Sequence, residues 1–390
     1  MEGMQASPLG KELSTMVAGQ KALRAKLVWA LQVANRNRRD RIEVKVRRLQ
    51  DALACRKFED EDIEKAESVV LKNGGPESVN METPMNPPVP LAVDPEMKLR
   101  RIIADKCFLT KSAMYPAVLA CDVITKEKPG GDMRLFMFKI GDDLRQDQLV
   151  LQMIILMDSL LKRYGLDLKL SPYKVIAMSK DDGLVEFVGG SSNLSTILKD
   201  HGEIQEYFRH KHQGKDEYIR QVVLENFIRS CAGYCVMTYI LGIGDRHLDN
   251  LMMDNEGRLF HIDFGFILGK DPKPFPPPMK LCKEMVEGMG GARSAGYESF
   301  KTKCCQAFKI LRRHSKLITN LLILMKDSGL KDLRGGADPE IAILKVQHKF
   351  QPELNDEQAE AHFDTLIEES LNALFPVVVE KLHKWAVYWK

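Results

Sequence analysis

Asp245, Arg246 and His247 stand together in "GIGDRHLDNLMMDNEGRLFHIDFG", residues 242–265, with Asn250 three residues after the histidine and Asp263 opening an Asp-Phe-Gly. Between Asn250 and Asp263, "LMM" and "RLFHI" are short apolar runs separated by "DNEG", which predicts two antiparallel strands joined by a tight turn. A hairpin brings its ends together, so Asn250 before the first strand and Asp263 after the second should lie close. An amide oxygen and a carboxylate so placed make a hard oxygen site suited to Mg2+ carrying phosphates. Taken singly, each piece has an ordinary explanation: an Asp beside Gly commonly forms a turn, and a lone His is commonly a satisfied surface or core residue. The joint pattern puts every piece where phosphoryl transfer requires it.

Protein kinases carry a His-Arg-Asp run before their Asp-Phe-Gly, whereas here the triplet is reversed. Phosphoryl transfer also needs a cation on the nucleotide phosphates. Lys139, near the end of the strand-like "MRLFMFKI", is the candidate. Asp147, in "GDDLRQDQ", opens a long helix, where a carboxylate is electrostatically favoured, and could hold Lys139 by pairing with it. Upstream, "LTKSAMYP" offers Thr110, Lys111 and Ser112 in a short loop whose backbone N–H groups and hydroxyls could cover phosphates, although it lacks the glycines of a Gly-rich loop.

These residues need elements to hold them. The chain has 390 residues, is 44% hydrophobic, and is large enough to bury a full core. A net charge of +3 is too small to argue for nucleic acid or a membrane surface, and no nucleic-acid partner is expected. The eight cysteines are scattered without a CxxC pair, which predicts free thiols. With no apolar signal core at the N-terminus and no apolar run near the roughly 18 residues of a membrane span, a cytoplasmic protein with peripheral membrane contact is expected.

Residues from about Lys11 to Ala54 lack proline and read as one long helix or two, with "RNRRDRIEVKVRR" as a solvated basic face; "FEDEDIEKAESVV" suggests one more helix. "NGGPESVNMETPMNPPVP" has no hydrophobic period and reads as a linker. "AVLACDVIT", "MRLFMFKI" and "YKVIAMS" predict strands and "QDQLVLQMIILMDSLLKRY" a helix, while helical patterns dominate from about Ser191. The expected organisation is a helical segment at 1–72, a linker at 73–90, a strand-rich lobe at 91–188 and a helical lobe at 189–390, with a ligand cleft between the lobes.

With these pieces assembled, the sequence resembles the lipid-kinase family, most closely the class III phosphatidylinositol 3-kinases of the vacuolar protein sorting type. The resemblance rests on "GDDLRQDQLVLQMI", "DLKLSPYKVIA", "RSCAGYCVMTYILGIGDRHLDNLMM", "LFHIDFGFILGKDPKPFPPPMKLCKEMVEGMGG" and "KLHKWAVYWK", and covers about Lys98 to Lys390. It implies an α+β, bilobal protein-kinase-like fold, with a small sheet-containing N-lobe, a larger helical C-lobe, and the end of the family's helical domain in front. ATP would then lie in the cleft with Lys139 on its phosphates, Asp147 and Tyr173 lining the inner pocket, and the backbone around Glu186, Phe187 and Val188 meeting the adenine. Asn250 and Asp263 would hold Mg2+ or Mn2+. His247 would take the proton of the attacking inositol 3-hydroxyl while Asp245 and Arg246 orient the loop, although spacing alone does not decide between His247 and Asp245 as acceptor.

The activation segment, from Asp263 to about Gly288, has only Lys270, Lys273, Lys280 and Lys283, spaced out and interrupted by prolines. Class I enzymes of the family, which accept bisphosphorylated inositides, are rich in Lys and Arg here. Few cations imply few substrate phosphates, so unphosphorylated phosphatidylinositol is favoured. In the last helix, Val378, Leu382, Trp385 and Trp389 form one stripe, with the tryptophans beside lysines; this suits a bilayer interface or packing on the kinase core. The resemblance further implies phosphatidylinositol 3-phosphate production on endosomal or autophagosomal membranes, with a protein-kinase-like regulatory subunit and autophagy or endosome adaptors as partners. The rivals are a phosphatidylinositol 4-kinase or a large Ser/Thr kinase, both disfavoured by the activation segment, and a catalytically silent scaffold. The family usually has an aromatic residue where Thr110 stands, and "VGGSSNLSTIL" is only loosely familial.

Overall fold

The computed structural model describes residues 8–56, 79–111, 114–274, 276–334 and 339–372. The chain forms two compact units: one comprises the residues up to Gln148 together with Tyr173–Gly189, the other Leu149–Pro172 together with Gly190 onward.

The first unit is built on an antiparallel sheet. Its strands are β1 (Val89–Leu91), β2 (Asp94–Ile102), β3 (Phe108–Leu109), β4 (Ala117–Ile124), β5 (Asp132–Ile140), β6 (Val175–Ala177) and β7 (Asp182–Glu186), in the order β1-β2-β4-β5-β7-β6 with β3 also on β4. β4 is buried from Ala117 to Val123, as a central run of Ala, Val, Leu and Cys requires. Helices α1 (Pro8–Asn35) and α2 (Ile42–Ala54) share one core with the sheet, Leu23, Leu27 and Leu31 of α1 and Leu49 and Leu53 of α2 joining Leu99, Val123, Phe136 and Phe138. The described part of the N-terminal helical segment is therefore packed into the same unit as the strands. Part of the Pro-rich stretch is packed as well: Met81 is buried, its N–H donates to Leu53 O at 2.9 Å, and its O accepts from Ile102 N–H at 2.8 Å. The helix expected at "FEDEDIEKAESVV" lies outside the described residues.

An ion pair pins α1 to the sheet. Arg24 Nε donates to Asp182 Oδ1 at 2.8 Å and Nη2 to Oδ2 at 2.5 Å, while Ser179 Oγ donates to Oδ2 at 2.7 Å. The Arg24 hydrogen bond holds the Asp182 carboxyl below its ordinary range. A depressed folded value means a contribution that is complete above the unfolded carboxylate value near ~3.9 and lost as pH falls through the folded one. Because the Arg24 side chain is 41% exposed, solvent screens the pair, and Asp182→Asn should cost only about 1–2 kcal/mol at neutral pH. Urea unfolding of both proteins from pH 7 to pH 3 checks this: the gap should close only below the unfolded value.

The second unit is mostly helical. After α3 (Arg145–Arg163), which begins in the first unit, come β8 (Ser192–Asn193), α4 (Leu194–His201), α5 (Ile204–Lys211) and the long buried α6 (Leu224–Leu241), entered through a π-helical turn at Ile219–Val223. β9 (Leu251–Met253) and β10 (Leu259–His261) follow, then α7 (Lys283–Gly288), α8 (Ala295–Arg313), α9 (Ser315–Leu324), α10 (Lys331–Arg334), α11 (Pro339–Lys349) and α12 (Asp356–Asn372). α8 and α9 divide one long helical pattern at His314, where the backbone leaves helical geometry (φ −107°, ψ 12°). All eight cysteines are free and seven are buried, as their spacing predicts. Among the described residues no helix is long and apolar enough to cross a membrane. Trp385 and Trp389 lie outside the described residues.

Candidate active site

The hairpin forms as its sequence predicts. β9 and β10 pair antiparallel, with Leu251 opposite His261 and Met253 opposite Leu259. Its ends are tied, since Ile262 N–H donates to Asn250 O at 3.1 Å, which brings Asn250 beside the residue preceding Asp263. β8 adds a third strand that the sequence pattern did not reveal; Asn193 pairs with Met252 and caps α4 by accepting Thr196 N–H at 2.7 Å.

The Asp245-Arg246-His247 run starts where α6 ends. Gly242 caps that helix at φ +60°, and a Cβ there would stand 2.4 Å from Gly269 N; a Cβ on Gly244 would stand 2.1 Å from Lys270 O. Only glycine permits this approach. It lets residues 241–244 and 266–269 exchange backbone bonds: Leu268 N–H to Leu241 O at 2.9 Å, Gly269 N–H to Gly242 O at 2.9 Å, and Gly244 N–H to Phe266 O at 2.9 Å. The Asp245-Arg246-His247 run and the start of the segment after Asp263 are thus one backbone assembly.

Arg246 is its clamp. Nε donates to Gly244 O at 2.8 Å, Nη1 to Ile262 O at 2.7 Å, and Nη2 to Asp263 O. A guanidinium has the donors in a rigid fork to hold all three carbonyls at once. Asp245 and Asp263 both adopt left-handed backbone (φ +53° and +60°), which Asp tolerates better than bulkier residues. Asp245 N–H donates to Asp271 Oδ2 at 2.9 Å, and Asn250 Nδ2 donates to Asp245 O at 3.1 Å. The His247 imidazole sits between two carboxylates, Nε2 3.9 Å from Asp245 Oδ2 and Nδ1 3.9 Å from Asp249 Oδ2, and is 41% exposed. Beneath the site, His261 stacks on Tyr234 with ring centroids 5.0 Å apart; burial, helped by the Arg246 charge, pushes it well below the imidazole range, so it stays neutral.

The donor set fits a hard divalent cation. With Asn250 Nδ2 on Asp245 O, the amide has Oδ1 to offer; Asp263 Oδ1 accepts Gly265 N–H at 3.2 Å, and Oδ2 has no partner among the described residues. No group of three or more His, Cys, Asp or Glu able to hold a metal occurs among the described residues. Two oxygens suit Mg2+ or Mn2+ that keeps waters and phosphate oxygens as its other ligands, and do not suit a closed protein cage.

In the activation segment, the Lys270 ammonium is 3.2 Å from Asp332 Oδ1, and Ile267 N–H donates to Asp332 Oδ2 at 2.9 Å. Lys270, expected among the substrate-facing lysines of this segment, also serves as a donor to the Asp332 side chain, which is almost fully buried and needs its donors. Asp332→Ala should therefore destabilise the protein by about 2–3 kcal/mol and speed proteolytic cleavage near Lys273, read by urea midpoint and by limited proteolysis. Lys283 pairs with Glu287 at 3.2 Å, whereas Lys273 and Lys280 have no carboxylate partner among the described residues. Asp271 and Asp332 are thus site-positioning residues that spacing did not signal.

In the first unit, Lys139 lies one residue from the end of β5 and opposite Gly183 of β7. It forms an ion pair with Asp142 at 3.5 Å, which stands three residues on after β5, while Asp147 is in the first turn of α3. Thr110 N–H donates to Pro116 O at 3.1 Å and closes the β3–β4 connection. Ala117 pairs with Phe138, so that connection and Lys139 share one end of the sheet. Lys111 is exposed there, and Ser112 lies outside the described residues. Tyr173 is buried before β6; Glu186 ends β7, its N–H donating to Lys174 O at 2.8 Å and its Oε2 accepting Lys174 N–H at 3.0 Å. Phe187 N–H donates to Leu135 O at 3.0 Å and its ring meets Phe108 edge-on at 6.2 Å, with Val188 next in the chain.

The sequence signature described as phosphatidylinositol 3- and 4-kinase matches residues 135–335. Phosphatidylinositol 3-kinase VPS34 of Arabidopsis thaliana is 52% identical over 307 residues, 78% of this chain and 37% of that protein. The root isoform of phosphatidylinositol 3-kinase from Glycine max is 51% identical over 78% of this chain and 36% of its own length. The Saccharomyces cerevisiae VPS34 protein is 45% identical over 80% of this chain and 35% of its own length. The chain spans little more than a third of the curated relatives it matches. The bilobal kinase-like fold class expected from the sequence agrees with the matched family and with the sheet-built and helical units.

Proposed function

The chain belongs to the phosphatidylinositol 3- and 4-kinase family, and from that premise we propose that it transfers the γ-phosphate of ATP to the 3-hydroxyl of phosphatidylinositol. The observation that carries this reading is the Arg246 clamp, which ties the Asp245-Arg246-His247 run to the backbone of Ile262 and Asp263. Proton acceptor and metal ligand are thereby held in one rigid assembly, and phosphoryl transfer depends chiefly on such positioning.

Lys139, with Asp142 beside it, meets the nucleotide phosphates, and the β3–β4 connection covers them. Asp147 and Tyr173 line the inner pocket, and the backbone of Glu186 to Val188 meets the adenine. Asn250 Oδ1 and Asp263 Oδ2 would hold a divalent cation, which would supply charge neutralisation for the nucleotide phosphates. His247 receives the proton of the inositol hydroxyl as the O–P bond forms and ADP departs, with the Asp245 and Asp249 carboxylates 3.9 Å away on either side.

Substrate choice follows from charge. With Lys270 committed to Asp332 and Lys283 to Glu287, Lys273 and Lys280 are the segment's lysines without a carboxylate partner among the described residues. Two lysines suit a headgroup with a single phosphodiester better than one with additional phosphomonoesters. The class III reading also brings an endosomal or autophagosomal membrane, a protein-kinase-like regulatory subunit, adaptor subunits, and Trp385 and Trp389 as membrane contacts.

The decisive assay is ATP with Mg2+ or Mn2+ and phosphatidylinositol vesicles, the headgroup of the product being resolved by position. A 3-phosphate is expected. A 4-phosphate, a preference for bisphosphorylated inositides, or no lipid product would overturn the reading.

A further inference from the structure

The basic run "RNRRDRIEVKVRR" contains one lysine that is not on a solvated face. Lys45 of α2 is fully buried, and its ammonium lies 3.8 Å from the centroid of the Tyr115 ring, with Arg38 O as hydrogen-bond acceptor at 3.3 Å. It has no carboxylate partner among the described residues, so the ring face is its main compensation for leaving water. Tyr115 belongs to the β3–β4 connection and has φ +47°, a conformation that a bulky residue holds only where its surroundings impose it. Asn35 of α1 adds to the hold, Nδ2 lying 3.4 Å from both Met114 O and Tyr115 O.

Beside this contact is a cavity of about 290 Å3, bordered by Leu31 and Gln32 of α1, by Arg38 in the turn between α1 and α2, and by Met114, Tyr115 and Ile140. With a space of this size beside it, Tyr115 is not fixed by close packing alone, and loss of the Lys45 contact would let its ring move. Ile140 directly follows Lys139, so such a movement would alter the connection next to the phosphate-binding lysine.

We infer that Lys45 is a positioning residue for nucleotide binding: its ammonium, seated on the Tyr115 ring, braces the β3–β4 connection from the helix pair and keeps it over the ATP phosphates. The inference rests on the proposed reading of that connection as the phosphate cover. Lys45 touches neither nucleotide nor lipid in this role, so it acts on ATP affinity and leaves the chemical step alone.

The test measures kcat and KM for ATP in Lys45→Met, Lys45→Arg, Tyr115→Leu and a matched control, Lys26→Met. Lys26 is an equally buried lysine of the same helix pair, 4.5 Å from the Trp29 ring centroid and 3.2 Å from Cys55 Sγ, and its ammonium sits on Trp29 and not on Tyr115. Lys45→Met and Tyr115→Leu should each raise KM for ATP about tenfold with kcat within about twofold, and the double variant should be no worse than either single one. Lys45→Arg, which keeps a cation over the ring, should restore most of the affinity. An unchanged KM, or an equal rise in Lys26→Met, would overturn the brace; should Lys45→Met not fold, Tyr115→Leu with Lys45→Arg carries the same decision. Lys139→Met separates the premise from the inference. If it leaves ATP use intact, the nucleotide site has been misassigned; if it removes ATP use while Lys45→Met has no effect on KM, the brace alone fails.

Discussion

Replacing His247 by alanine is expected to lower phosphatidylinositol phosphorylation about 10^2 to 10^4-fold while changing ATP affinity less than about threefold. The imidazole is 41% exposed and lies 3.9 Å from each of two carboxylates, so its removal should leave the fold and the proposed metal ligands in place. A proton acceptor lost alone shows in kcat, because the substrate still binds but its hydroxyl has nowhere to release the proton. Asp245→Asn is the companion measurement. Asn tolerates the φ of +53° at this position, so that variant removes the carboxylate and keeps the backbone. If His247→Ala retains most activity and Asp245→Asn loses it, the acceptor is Asp245; if His247→Ala also loses ATP binding, the histidine is structural.

Asp263→Asn is expected to have the larger effect, about 10^3-fold or more, because it removes the one carboxylate assigned to the metal. The substitution is conservative for the backbone at φ +60°, and the Arg246 bond to Asp263 O does not involve the side chain. The Oδ1 that accepts Gly265 N–H also survives as an amide oxygen, so stability should fall by less than about 1 kcal/mol. Titrating Mg2+ and Mn2+ in the assay distinguishes a metal role from a general one. The concentration needed for half-activity should rise sharply for both cations, and activity within tenfold of the parent at ordinary metal levels would remove Asp263 from the metal site.

What the sequence revealed and what it hid divide along physical lines. The β9–β10 hairpin was legible because its determinants are local: two short apolar runs and a "DNEG" turn within a dozen residues. The ion pair of Lys139 with Asp142 did not stand out because several acidic positions lie nearby, and only the path of the chain after β5 brings Asp142 to the lysine. Asp332 and Lys270 are 62 residues apart, and Asp271 reaches back 26 residues to Asp245; no spacing rule connects such pairs before the chain has folded. Lys45 was hidden by its company, since a lysine among arginines looks solvated until Tyr115, on a distant loop, covers it. β8 is two residues long, too short to show a period.

The close approach at Gly242 and Gly244 also bears on how this site can change. A side chain at either position would meet backbone atoms of residues 269 and 270, so the run that carries Asp245, Arg246 and His247 has almost no freedom to vary at its root. New lipid preferences would have to be written farther along the segment, around Lys273 and Lys280, where substitution leaves that backbone assembly untouched. On the proposed reading, the reaction would thereby be insulated from the choice of substrate, and one frame could serve headgroups of different charge by exchanging a few distal cations.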